Sequence, residues 1–139
     1  MWKIHGSCHC GNIGFVLDWP EAGEPIAVRA CGRDFCTKHR ASWTSRRDAP
    51  VALSMADPAR ARRYRFGTET ADFHICTSCG VVPIVTCEID GAGYAVVNAN
   101  CFDDVDCAEL AGAASNFEGE TTVARLARRQ RNWSPLRSV

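Results

Sequence analysis

The stretch "VVPIVTCEIDGAGYAVVNAN", Val81–Asn100, decides the fold. Two runs of β-branched and aromatic residues flank a turn at Asp90 to Gly93, the pattern of a hairpin connection between strands. Cys87 shares strand parity with Val85 and Ile89, which makes it a small core residue. Outward from this hairpin the same signature recurs in "NIGFVLDW", "PIAVRA", "ASWTS", "PVALSM", "ARRYRFG" and "DFHIC". Turn signals separate these runs at Pro20 to Pro25, Arg47 to Pro50 and Gly67 to Ala71. Many short strands at this spacing predict an all-β chain. Helical periodicity is confined to the end, where Val123, Leu126, Ala127 and Trp133 share one face of a short C-terminal helix starting near Glu120. "DPARARR" predicts one helical turn, with Asp57 capping and Pro58 at the first position. Without a linker, repeat or low-complexity tract, residues 1–139 read as a single domain.

Apolar residues make up 46% of the 139 and charged residues 23%, which excludes extended disorder. Sixteen basic and sixteen acidic residues cancel, so no overall field steers the chain to nucleic acid or to an acidic membrane. The N-terminus lacks the apolar run of a signal peptide, and no window approaches the eighteen or so apolar residues of a span. The expected location is the cytoplasm, with no membrane partner. Nine cysteines in a reducing compartment are metal ligands and core residues more readily than a disulfide framework.

"SCHCG", Ser7 to Gly11, and "CTSCG", Cys76 to Gly80, are two close cysteine pairs, each followed at once by glycine. Zinc takes four tetrahedral ligands, and a tight turn with two thiolates supplies half of that shell. A glycine after the second cysteine can adopt positive φ, turning backbone N–H groups towards sulfur. Cys8, Cys10, Cys76 and Cys79 are therefore expected to hold one structural Zn2+ with every position filled. Of the other cysteines, Cys101 ends a strand and reads as core, and Cys107 follows an acidic turn without a nearby partner.

"GSCHCG", the loop "CGRDFCTKH" from Cys31 to His39, "CTSCG" and "VVNANCFDD" together resemble the family of glutathione-dependent formaldehyde-activating enzymes and centromere protein V. "RNWSP" is similar to a subgroup of it. The resemblance implies stacked and coiled antiparallel sheets with zinc knuckles, a fold shared with a small zinc protein that assists Rab GTPases. It implies a structural zinc on Cys8, Cys10, Cys76 and Cys79, and a second, catalytic zinc on a C-x-C-x-x-C loop. The outer sulfurs of that loop fall on Cys31 and Cys36, and its middle position is Arg33. A guanidinium has no lone pair for a metal, so Arg33 is no replacement ligand.

The implied chemistry is reversible addition of a thiol, such as glutathione, to a small aldehyde such as formaldehyde, the work of a carbon–sulfur lyase. Zinc with an open position suits it by binding sulfur as thiolate or polarising the aldehyde oxygen. His39, three residues after Cys36, is the candidate third ligand if that segment makes a helical turn, with Cys101 behind it. A metal-free alternative has Arg33, Lys38, Arg40 and the C-terminal arginines binding a carboxylate-bearing ligand such as glutathione. The plainer reading of Arg125, Arg128, Arg129, Arg131 and Arg137 is a solvated face. A noncatalytic zinc module for ligand or protein interaction is the rival to the enzyme.

Overall fold

The computed structural model describes residues 2–20, 22, 25–32, 34–106, 110–115, 117 and 119–137. In chain order the strands are β1 (Trp2–Ser7), β2 (Ile13–Trp19), β3 (Ile26–Cys31), β4 (Ser42–Thr44), β5 (Val51–Met55) and β6 (Ala61–Tyr64). They continue as β7 (Asp72–Cys76), β8 (Ile84–Ile89), β9 (Ala92–Asn98), β10 (Leu110–Ser115) and β11 (Ser134–Arg137). Helix α1 (Asp34–His39) follows β3, and α2 (Thr122–Asn132) precedes β11. Cys107 lies outside the described residues. No helix among those described is long and apolar enough to cross a membrane.

The Val81–Asn100 hairpin forms as expected: Ile84 pairs with Val97 and Ile89 with Ala92. Asp90 and Gly91 both have positive φ, 52° and 80°, the backbone that a two-residue turn needs to match the twist of its strands. On its other edge β9 pairs with β11 at Ala95 and Tyr94, and with β4 at Val97 and Asn98. One strand thus feeds three neighbours, and the sheet coils around it in the order β1-β2-β5-β11-β9-β4-β3-β10, with β8, β7 and β6 branching from β9. Most pairs are antiparallel. The exceptions are β3 with β10 and β5 with β11, whose parallel partners come from far along the chain.

Alternation along the hairpin divides the interior in two. Ile84, Ala95 and Val97 pack with Ile4, Ile13, Leu17 and Val51, and with Cys8 and Cys76. Val85, Cys87, Ile89 and Val96 face the other way, packing with Cys36, Trp43, Phe73 and Trp133. Successive side chains on a strand point to opposite faces, so one hairpin walls off the paired cysteines from the Cys31–Cys36 loop.

Two local expectations meet different outcomes. Asp57 caps a 3-10 turn at Pro58–Arg60, its side chain accepting from the Ala59 N–H, as the sequence predicts. The C-terminal helix forms with Thr121 as its N-cap, and Leu126 and Trp133 pack inward as expected, but the rest of the buried face differs. Val123 is 81% exposed, while Arg125 and Arg129 are buried and Trp133, just past the helix, joins the core. The arginines expected in solvent thus include two of the most buried side chains of α2. Hydropathy patterning assigns a guanidinium to water, whereas here it meets polar partners inside.

Candidate functional site

The two cysteine turns are built alike. The Cys8 N–H donates to the Ile13 carbonyl at 2.8 Å and the Gly11 N–H to Cys8 at 3.0 Å. In the second turn the Cys76 N–H donates to Val81 at 3.0 Å and the Gly80 N–H to Cys76 at 2.7 Å. Gly11 and Gly80 sit at φ 85° and 81°, where an L side chain is strained. Close approach of β1 to β2 needs a third glycine, because a Cβ on Gly6 would meet the Phe15 ring at 2.1 Å.

These turns bring Sγ of Cys8, Cys10, Cys76 and Cys79 within 4.8 Å of one another. Cys8 and Cys10 sulfurs are 3.8 Å apart, and those of Cys10 and Cys76 3.5 Å. A tetrahedral shell with metal–sulfur bonds of about 2.3 Å sets its sulfurs about 3.8 Å apart, so the geometry fits a metal ion. All four are thiols and not disulfides. Four soft sulfur donors leave no open position, which suits a structural ion.

The electrostatics agree. Burial pushes the Cys8 thiol up to about 11, against a bond from the Ile13 N–H. Burial also opposes ionisation of Cys76, but N–H donors of Cys79 and Ser78 and the neighbouring thiols outweigh it and bring Cys76 down to about 6. Burial opposes Cys79 as well, but N–H donors of Val81 and Cys10 help to draw it down. A cluster that favours two thiolates while resisting Cys8 needs a cation to hold four. Cys101 is held up to about 12 by burial and by negative charge at Cys8, Asp103 and Cys79. Cys101 packs in the same buried cluster as Cys8 and Cys76, and Cys36 in the other, which removes Cys101 as a donor at the second loop.

Cys31 ends β3, half-buried, and Cys36 is buried within α1, so the helical turn that the His39 reading requires does form. The His39 ring, however, is exposed and packs on Phe35 with centroids 4.4 Å apart. Among the described residues only Cys8, Cys10, Cys76 and Cys79 gather three or more metal-ligating side chains. Arg33 lies outside the described residues.

What Cys31 and Cys36 do share is a cavity of about 60 Å3, walled by Trp43, Phe73 and Trp133 and edged by Arg29, Arg128 and Arg129. Glu120 takes both arms of Arg128, from Nε at 3.0 Å and from Nη2 at 3.0 Å, and also meets Arg125 at 3.5 Å. That pairing draws the Glu120 carboxyl below its ordinary range, the Arg128 bond contributing most. Arg29 donates to Ser45 Oγ at 2.8 Å, and Arg129 to Thr70 Oγ1 at 2.8 Å and Cys87 Sγ at 3.4 Å. Burial lowers both guanidinium pKa values, yet an arginine keeps its proton.

Arg29 was missing from the sequence-predicted site. The available signal was strand parity, since Arg29 stands two residues before Cys31 on β3 and so shares its face. From sequence, Trp133 lies on the apolar face of the C-terminal helix and Arg129 among the C-terminal arginines able to meet a carboxylate, but nothing there sets either beside Cys31 and Cys36.

A family model described as "Glutathione-dependent formaldehyde-activating enzyme" matches residues 3–120. Among solved structures, a crystal structure of a Rhodobacter sphaeroides protein is similar at a TM-score of 0.60 and 22% identity. The match covers 79% of this chain and 97% of that one, and it speaks for the fold alone. No curated relative matches the chain.

Proposed function

Because the chain belongs to the glutathione-dependent formaldehyde-activating enzyme family, we propose that it makes and breaks the carbon–sulfur bond of thiol adducts of small aldehydes. The zinc of this reading is structural and sits on Cys8, Cys10, Cys76 and Cys79, whose spacing suits it. The single observation carrying the reading is that Cys31 and Cys36 line one cavity with Arg29 and Arg129. A second zinc does not fit the residues present: the central thiolate is replaced by Arg33, and the His39 ring is taken up against Phe35.

The chemistry then rests on side chains. A guanidinium beside a thiol favours its thiolate. A thiolate at Cys31 or Cys36 takes the proton of the incoming thiol, whose sulfur adds to the aldehyde carbon. The carbonyl π pair becomes an alkoxide, which guanidinium N–H donors stabilise in a site of low dielectric. The alkoxide then recovers the proton, and the reverse path releases the aldehyde. Trp43, Phe73 and Trp133 exclude water from these charges.

Exchange NMR on labelled formaldehyde with glutathione, or with smaller thiols, tests this. Interconversion of free and adduct carbon should exceed the spontaneous rate, and Cys36→Ser should lose roughly 10²–10⁴-fold of the acceleration, the range of proton-transfer catalysis. Exchange at the spontaneous rate with every thiol contradicts it. That result would favour the noncatalytic zinc module, a reading whose own observation is Arg33 in the place of a thiolate.

A further inference from the structure

The charge of the cavity is not balanced from within. Arg128 has Glu120, but among the described residues neither Arg29 nor Arg129 has a carboxylate within ion-pair distance. Their hydrogen-bond partners are hydroxyls and a thiol, and Arg129 also lies over the Trp133 ring at 4.8 Å, none of which cancels a charge. Arg129 is 4% exposed, and its Nε is buried without a hydrogen-bond partner. An unpaired buried charge is costly, and unsatisfied donors add to the cost. Apolar walls beside a buried and a half-buried guanidinium, neither with a carboxylate, describe an anion site, and guanidinium forks match the planar shape of a carboxylate.

The space limits the ligand. A water needs about 10–15 Å3 by the same measure, so the cavity of about 60 Å3 takes roughly four to six non-hydrogen atoms. We propose that the cavity binds the carboxylate of a compact monocarboxylic acid through Arg29 and Arg129, as the acid-bearing partner of the thiol–aldehyde adduct. This rests on the carbon–sulfur reading for the reacting groups, while the binding of the acid can be measured without turnover. Two guanidinium charges accommodate one carboxylate and one further negative charge, the thiolate or alkoxide of the reaction. A tripeptide cannot enter such a space whole. The acid belongs either to the aldehyde, as in glyoxylate, or to the thiol, as in thioglycolate.

Titration of the full chain with acetate, glyoxylate and thioglycolate, at ionic strength fixed with chloride, tests the site by chemical shift or heat. Saturable binding is expected, with glycolaldehyde and 2-mercaptoethanol binding at least about tenfold more weakly, because a charged hydrogen bond is worth roughly 1.5–3 kcal/mol. Tighter glyoxylate assigns the acid to the aldehyde, and tighter thioglycolate assigns it to the thiol. Arg29→Gln should weaken the carboxylates by about ten- to a hundredfold. Arg62→Gln, on exposed β6, should leave binding unchanged. Arg29 is only half-buried, so its variant folds more readily than one at Arg129. No saturable binding by any of the three acids to folded wild type, or binding equal in Arg29→Gln, overturns the proposal. Acid binding without accelerated exchange would instead count against the lyase chemistry and leave the anion site standing.

Discussion

Cys10 Sγ lies 3.5 Å from Cys76 Sγ although 66 positions separate the two residues. Through that contact the turn between β1 and β2 is tied to the end of β7, and Cys8 and Cys76 are both packed in the same buried cluster as Ile4 and Ile84. An ion held by the four sulfurs is therefore a long-range crosslink of the core.

Cys76→Ser and Cys79→Ser should each give insoluble or unfolded protein. Structural zinc sites contribute roughly 10–16 kcal/mol, more than the typical net stability of a domain, about 5–15 kcal/mol. Circular dichroism and metal content of the purified variants check this. Soluble, cooperatively folding variants without metal would show that the crosslink is dispensable.

Cys87→Ala should be tolerated far better. It removes one sulfur from the core and takes one acceptor from Arg129, whose Nη1 keeps Thr70. The expected cost in urea unfolding is about 1–3 kcal/mol, with zinc content unchanged. Cys87→Ser, which keeps an acceptor there, should cost less. Loss of zinc in either variant would move Cys87 into the ligand shell.

The readable parts of the fold were those whose physics is local. The Asp90–Gly91 turn, the two C-G knuckles and the Asp57 cap each depend on residues within a few positions of one another, and each forms as its chemistry requires. β10, "LAGAAS", and β11, "SPLR", carry little β propensity and were missed. They exist because β3 and β5 present edges to them from distant parts of the chain. The candidate site divided in the same way. The paired cysteines were legible from spacing, whereas the cavity at Cys31 and Cys36 depends on the end of α2, with Arg129 and Trp133, meeting Arg29 on β3 from far along the chain. Burial of Arg125 and Arg129 beside Leu126 and Trp133 shifted the expected face of α2 and left Val123 outside, because apolar periodicity cannot see a polar interior.

Asp18 predicts the acid limb of stability. It accepts from Lys3 at 2.8 Å and from Arg137 at 3.1 Å, joining β1, β2 and β11. The Lys3 bond lowers its pKa most, burial opposes, and Arg137 adds to the lowering. A carboxyl whose folded pKa is depressed contributes stability above its unfolded value, about 3.9, and loses it as pH falls through the folded value. Asp18→Asn should therefore have a lower urea midpoint than wild type at pH 7, with the gap closing below about pH 4. A gap independent of pH would place the effect in packing.

Arg33→Cys should restore what the guanidinium displaced. A third thiolate with Cys31 and Cys36 completes a shell with an open position, so the variant should bind about one zinc more than wild type. Its exchange of formaldehyde with glutathione should rise, since an open zinc both binds sulfur as thiolate and polarises the carbonyl. Unchanged metal content would show that these two sulfurs cannot share an ion with position 33.

On the proposed reading, one ion holds the fold and the Cys31–Cys36 cavity works without another. Elemental analysis of wild-type protein purified without added metal tests this most directly, run beside Cys31→Ser and Cys36→Ser. About one zinc per chain, unchanged in both variants, is the expected result. Two zincs per chain, with one lost on replacing Cys31 or Cys36, would contradict it and make His39 the first residue to mutate.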